Sequence, residues 1–492
     1  MVTHNFPETF PAGRAVLDDG SSNLDAGALA ARIARLCQVL QARRAPQAPL
    51  AILADNSPEW LAADLATQQL GLTLVPLPLF FTPPQWAHVL KESGASAVLA
   101  PPGASAALAA FGFGDPLDSG GPLQLYQAAT ASEQPVPAAA QKITFTSGTT
   151  AAPKGVCLST AQQWEVARAL QQGVAPLHLE RHLCLLPFAV LLENIAGPYT
   201  AMLSGATTIC PPLAEVGLAG ASQFDPQRCL DAIARYAAHS IIVLPQMLQA
   251  LLAALAPGDQ RAASLRFIAV GGAKVPARLL AAARARGLPV FEGYGLSECC
   301  SVVALNLPGA ERAGSVGKPL PHRPVRIAAD GEIEVGGALA HYLGQAPAAD
   351  TWLATGDLGH LDPDGYLYID GRKKDILITG FGRNVSPEWP EAALMGSGLL
   401  AQALVVGDGQ PWLAALLVPA APHITLAQMQ QAVDLANQDL PDYAQVRRWT
   451  LVPPFSPANG LATANGRPRR NAIVQQHAAL IASLYDQTEQ TA

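Results

Sequence analysis

Along this chain short apolar runs alternate with alanine-rich stretches that read as helices, the pattern of layered α/β structure with parallel sheets. Leu50-Ala51-Ile52-Leu53-Ala54 reads as a buried strand, Pro58 to Leu70 as a helix, and Leu72 to Val75 as the next strand, stopped by Pro76. A second unit of this kind is expected around Ile241-Ile242-Val243-Leu244 and Leu265 to Val270. Between Pro101 and Ala140 the chain is mostly Ala, Gly, Pro and Ser, which predicts a variable connection and no domain. Near Tyr366 to Ile378 a cluster of charges and a glycine separates two strand-like runs, as at a domain boundary. Beyond it, Ala403 to Asp408 and Trp412 to Val418 predict a hairpin around Gly409-Gln410, and Leu426 to Gln438 a helix. The expectation is a large α/β domain followed by a small α+β domain, with the boundary within Tyr366 to Ile378.

Composition narrows the class. With 492 residues the chain can bury a large core. Only 14% of residues are charged and the formal net charge is -7, so electrostatics give no case for nucleic acid as a partner. Met1 to Glu8 carries neither the basic nor the apolar segment of a signal peptide, and the apolar run Ile241 to Ala256 is interrupted by Pro245, Gln246 and Gln249. A cytoplasmic protein without a transmembrane segment is expected. Seven cysteines, with no Cys-x-x-Cys unit, read as reduced, mostly buried thiols.

The chemistry concentrates in Thr144-Phe145-Thr146-Ser147-Gly148-Thr149-Thr150-Ala151-Ala152-Pro153-Lys154-Gly155. Hydroxyls and backbone N–H groups donate to phosphate oxygens, glycine permits close approach, and Lys154 supplies charge. The Walker order, Gly-Lys followed by Ser or Thr, is absent. An ordinary turn would use the same residue types.

Further motifs follow in order: Gly293-Tyr294-Gly295-Leu296-Ser297-Glu298, Gly314 to Pro319, Thr355-Gly356-Asp357 and Gly371-Arg372-Lys373-Lys374-Asp375. Together with the hydroxyl-rich turn they give a chain that, from about Ala51 to its end, resembles the AMP-forming acyl-CoA synthetases of the adenylate-forming ligase superfamily. Leu186 to Asn194, Gly407 to Leu413 and Asn459 to Thr463 are most similar to segments of long-chain fatty acyl-CoA ligases, although Val190 stands where those ligases usually carry histidine.

The resemblance implies ATP, Mg²⁺ and coenzyme A as cofactors, a carboxylic acid substrate, and a role in fatty acid or lipid metabolism. By the same resemblance Thr146, Ser147, Gly148, Thr149, Thr150 and Lys154 would hold the outer phosphates, and Glu298 would hold the metal. Tyr294 would stack on adenine, with Gly295 in the same motif, Ser297 would approach the α-phosphate, and Gly271, Gly272 and Ala273 would let adenine lie along the backbone. Asp357 would accept from the ribose hydroxyls, with Arg372 in support. Lys374 would be the hinge between a large domain, residues 1–373, and a mobile C-terminal domain, residues 374–492, and Gly382 would let a pantetheine arm pass. Phe188, Val190, Gly271 and the Cys300 to Val303 run are candidate walls of the acyl pocket.

One departure stands out. The family's late catalytic lysine is matched best by Arg467, whose planar fork differs from a compact ammonium. Three readings follow: a ligase making an acyl-CoA from a medium- or long-chain acid, a ligase loading an acyl carrier protein's phosphopantetheine, and a nucleotide- or acyl-binding protein of low turnover.

Overall fold

The computed structural model describes residue 10 and residues 13–43, 48–129, 140–146, 153–220, 223–345, 352–463 and 466–485. The first expected unit forms as read. Leu50–Ile52 is a strand with no exposed residue, paired in parallel with Leu74–Pro76 on one side and Ala97–Ala100 on the other. Between them runs the helix Pro58–Leu70. Its start is set by Ser57, whose side chain accepts from the Trp60 N–H, with Pro58 in the first turn where no N–H is needed. It ends at Gly71 in the left-handed conformation. Pro76 closes the second strand from within instead of lying outside it.

The stretch expected to be only a connection departs from that reading. Gln124–Gln127 pairs antiparallel with Ala97–Ala100, and Leu117–Asp118 pairs in turn with it, so the segment extends an eight-stranded sheet. Leu125 and Tyr126 are fully buried on opposite faces of that strand, enough apolar surface to hold it despite polar and small neighbours.

The second sheet has nine strands, with Arg181–Leu183, Ser240–Val243, Phe267–Val270 and the start of Val290–Leu296 side by side in parallel. A four-stranded antiparallel sheet follows and ends with Leu367–Arg372. From Leu377 onward separate apolar clusters form around Leu400–Val406 and Leu413–Pro419, the expected antiparallel hairpin, joined in parallel by Val446–Leu451. The helix Leu426–Asn437, capped by Thr425, covers this sheet. The architecture is a large α/β part followed by a smaller α+β part. All seven cysteines are buried and free, and among the described residues no helix is long and apolar enough to cross a membrane.

One polar cluster lies inside the large part. Lys142, fully buried, donates to Asp64 Oδ2 at 2.9 Å, Asn194 Oδ1 at 2.6 Å and Tyr199 Oη at 3.1 Å. All three ammonium protons are thereby used. The Tyr199 hydroxyl donates to Asp64 Oδ2 at 2.6 Å. Burial lowers the Lys142 pKa, against the opposing pull of Asp64. The network ties the helix Pro58–Leu70 to the strand Lys142–Thr146 and to a π-helical turn, Ile195–Tyr199.

Candidate active site

A continuous cleft of about 3090 Å³ runs between the sheets of the large part and the small C-terminal part. The strands Lys142–Thr146 and Lys154–Leu158 form an antiparallel pair in which Thr146 stands opposite Lys154. Both residues, the flanks of the hydroxyl-rich segment, line the cleft. Ser147, Gly148, Thr149 and Thr150 lie outside the described residues.

On another part of the cleft wall, the strand Val290–Leu296 ends in a 3-10 turn, Ser297–Cys299, and the chain reverses into Ser301–Leu305. The reversal is tight. A Cβ on Gly295 would lie 1.9 Å from the Ser301 carbonyl oxygen, so only glycine fits there. Cys300 and Ser301 both take positive φ, 61° and 97°, to complete it. Tyr294, Gly295, Ser297 and Glu298 all face the cleft.

A residue without a local signal links the two sides. Tyr342 sits on a two-residue strand, His341–Tyr342, paired with Lys154–Leu158. Its hydroxyl donates to Glu298 Oε1, and Lys154 Nζ lies 5.7 Å from its ring centroid. Lys154 and Glu298 are thus neighbours of one phenol, although 144 positions separate them. Sequence reasoning missed Tyr342 because nothing in Leu339 to Leu343 marks it; only the strand pairing does.

Tyr294, Asp357 and Arg372 converge on a third part of the cleft. Tyr294 Oη donates to Asp357 Oδ2 at 2.5 Å, and Arg372 Nε lies 2.9 Å from Asp357 Oδ1. Arg372 also donates to the Thr355 carbonyl at 3.2 Å, and the Thr355 hydroxyl accepts from the Asp357 N–H at 3.1 Å. Burial raises the Asp357 pKa, with Arg372 and Tyr294 opposing. That direction is unusual for a salt-bridged aspartate and follows from its 4% exposure. The Tyr294 pKa is raised, first by burial and then by the neighbouring carboxylate.

The backbone at Gly271, Gly272 and Ala273 lines the cleft beside these groups, with Gly272 at φ +81°. Arg467 reaches it from the small part and donates to the Gly272 carbonyl at 2.7 Å. Its guanidinium keeps contact with solvent, yet crowding in the cleft and the charge of Arg372 lower its pKa. Lys374 lines the cleft as well. Just before it, Lys373 Nζ donates to Asp330 Oδ2 at 2.6 Å and Glu332 Oε2 at 2.7 Å. Two further ionisable groups, unforeseen from sequence, lie nearby. Burial pushes Glu292 up to about 7 and lowers Lys274, whose ammonium donates to the Ile369 carbonyl at 3.1 Å.

The acyl-wall candidates divide. Val190, Gly271, Ser301 and Val302 line the cleft. Phe188 does not: it is buried against Trp60, ring centroids 5.4 Å apart, and its N–H donates to Asn56 Oδ1 at 2.8 Å. Pro187 and Val190 turn the backbone so that Phe188 points into the core. Cys300 and Val303 belong to apolar clusters behind the wall.

Comparison with known proteins gives a consistent result. A family model described as AMP-binding enzyme matches residues 4–339, and one described as AMP-binding enzyme C-terminal domain matches residues 374–489. Indoleacetate–CoA ligase of Aromatoleum aromaticum is 31% identical over 400 residues, 73% of this chain and 75% of that protein. Long-chain-fatty-acid–CoA ligase FadD15 of Mycobacterium bovis is 34% identical over 248 residues, 44% of this chain but 41% of that protein's length. The solved O-succinylbenzoate coenzyme A synthetase of Bacillus subtilis, in complex with ATP and magnesium ion, is similar with a TM-score of 0.74 and 25% identity, over 93% of this chain and 96% of that one. The acids named for these relatives differ, so the kinship carries no chain length. The chain belongs to the AMP-binding enzyme family, within the adenylate-forming ligase superfamily.

Proposed function

We propose that this protein activates an apolar carboxylic acid, fatty or aryl, as an acyl adenylate and then transfers the acyl group to the thiol of coenzyme A. One observation carries the reading. Thr146 and Lys154, the Ser297–Glu298 turn and the Tyr294–Asp357–Arg372 set all line one cleft, and Arg467 donates to the Gly272 carbonyl in it.

In the first step a carboxylate oxygen attacks the α-phosphorus of ATP, and the bond to pyrophosphate breaks. The approach sets anion against anion, so fixed cations and donors must offset repulsion and the charge gained in the transition state. Lys154 and Thr146 serve the outer phosphates, together with the hydroxyls of Ser147, Thr149 and Thr150 and the backbone of Gly148. Ser297 donates near the α-phosphate. Asp357 accepts from the ribose diol, its carboxylate oriented by Arg372 and Tyr294, and the small residues Gly271 to Ala273 admit the adenine. Glu298 suits Mg²⁺, a hard cation that takes one or two carboxylates besides phosphate oxygens and that would neutralise phosphate charge. Arg467 holds the carboxylate and the α-phosphate together, in the place of a lysine.

In the second step the thiol sulfur bonds to the acyl carbon, AMP leaves, and the thiol proton passes to solvent. Rotation of the small domain, residues 374–492, about Lys374 exchanges the face bearing Arg467 for the face bearing Gly382. Gly382 has φ +71° and no neighbour within 4 Å of where a Cβ would sit, which suits passage of a pantetheine arm.

The test is acid-dependent exchange of labelled pyrophosphate into ATP over a panel of apolar acids. Exchange with at least one acid, lowered by about a hundredfold or more in Arg467→Ala, is the expected result. Nucleotide binding without exchange for any acid would leave a binding protein in place of a ligase.

A further inference from the structure

Away from the phosphate side, the cleft is lined by polar groups that the adenylation chemistry leaves unused. His182 stands in register with Ser240, and Ser240 with Phe267, on three neighbouring strands. All three line the cleft, and all three are buried. His182 Nδ1 lies 3.0 Å from Ser240 Oγ, and Nε2 lies 2.9 Å from Glu193 Oε1. The second oxygen of Glu193 accepts from the N–H groups of Leu185 at 3.2 Å and Leu186 at 2.8 Å. With Glu193 as a carboxylate, which only accepts, Nε2 is the donor in this pair and Nδ1 faces Ser240.

The arrangement is built to close tolerance. A Cβ on Gly197 would meet Glu193 Oε1 and His182 Nε2 at 2.6 Å each, so the π-helical turn seals the pair without covering Ser240. Cys184 completes a trio of metal-ligating residue types. Burial raises its thiol pKa well above the ordinary value, and Glu193 already faces His182 and two backbone N–H groups, which disfavours a metal there.

From Ser240 a lane leads back to the adenylating end. Ala269, Gly271 and Gly293 line it, and their small side chains leave room above the sheet. From Phe267, in register with Ser240, to Gly271, the residue just past the end of the strand Phe267–Val270, four residues of extended chain span about 13 Å, or roughly ten carbons of an extended acyl chain. We infer that Ser240, oriented by His182 and Glu193, is a specificity-determining residue that hydrogen-bonds a hydroxyl carried by the acyl chain roughly ten carbons from its carboxylate. The substrate class is thus a hydroxylated carboxylic acid. Whichever way the proton between Ser240 and His182 is shared, a hydroxyl matches, because it both donates and accepts. The inference rests on the ligase reading, since the distance is counted from the acid end.

The experiment measures kcat/KM for pyrophosphate exchange with straight-chain acids, with and without a terminal hydroxyl, lengthened one carbon at a time. In the wild-type protein the hydroxyl raises kcat/KM about tenfold within a narrow band of lengths and lowers it outside that band. Ser240→Ala brings the ratio inside the band to about one, and Ser240→Thr retains a preference. A hydroxyl that lowers kcat/KM at every length in the wild-type protein overturns the inference, without reliance on any variant folding. So does a preference that survives in Ser240→Ala. If plain acids exchange and hydroxylated ones gain nothing, only this inference falls; if no acid exchanges, the ligase reading falls with it.

Discussion

Two clusters of the same composition, an aspartate, a cation and a tyrosine, sit in this molecule with opposite fates. In the first, Lys142, Asp64 and Tyr199 are sealed in the core, and Asn194 takes the last ammonium proton. In the second, Arg372, Asp357 and Tyr294 border the cleft, and Arg372 stays half-exposed. Bonding accounts for the difference. Lys142 has no proton left for a ligand, whereas Arg372 and Asp357 keep donor and acceptor capacity toward the open side. Composition alone therefore says little about role; whether the cluster is sealed in the core or opens on the cleft decides it.

The contrast breaks most readily at the sealed cluster. Lys142→Met leaves Asp64 buried without its cation and is expected to cost about 3–5 kcal/mol of unfolding free energy, measured by denaturant titration. Adding Asp64→Leu should restore most of that loss, because an apolar pair of matching bulk replaces a desolvated one. A loss below about 1 kcal/mol for the single variant would show that water reaches the pair.

Asp357→Asn should do the reverse. It removes charge-assisted acceptance and is expected to weaken ATP binding by about tenfold to a hundredfold, with an unfolding change under about 1 kcal/mol. Calorimetric titration and thermal melting separate the two. Were the melting loss to rival that of Lys142→Met, the cleft cluster would be structural after all.

Glu292 gives a pH-dependent version of the test. Its folded pKa, about 7, lies above the unfolded carboxylate value of 4.5. The folded state therefore holds the proton more tightly, and this stabilisation is complete below about pH 4.5 and lost as pH rises through about 7. Glu292→Gln, which cannot ionise, should gain about 1–3 kcal/mol on the wild-type protein between pH 5 and pH 8. Parallel denaturation curves at the two pH values give the answer, and an unchanged difference would remove Glu292 from the buried set.

The smallest effect is expected for Tyr294→Phe. It deletes one hydrogen bond to Asp357 and should weaken nucleotide binding by about 1 kcal/mol. A larger loss would mean that the phenol also touches the ligand.

Legibility from sequence follows the same division. The helix Pro58–Leu70 could be read because its Ser57 cap, proline start and Gly71 stop are all local. Glu298 and Asp357 could be named because ordered motifs carry them, and Arg467 as the best match to a family lysine; all three line one cleft. Tyr342, Lys142 and the Glu193–His182–Ser240 chain were invisible for one reason. Their significance lies in pairings across distant strands, such as Tyr342 with Val156 and His182 with Ser240, which no local spacing encodes. Phe188 fails in the opposite sense: its motif was legible, but backbone direction turned the ring onto Trp60. The segment after Pro101 misled because its composition is that of a loop while Leu125 and Tyr126 alone supply a strand's burial.

Lys373, held by both Asp330 and Glu332, bears on how the two parts could swing. Because the residue before the proposed pivot is clamped to the large part by two carboxylates, torsion cannot spread backward into the sheet and falls on the peptide units that follow. The Asp330 arm of the clamp is exposed, so added salt loosens it. Ionic strength would then act on the sharpness of the fulcrum before it touched either catalytic face.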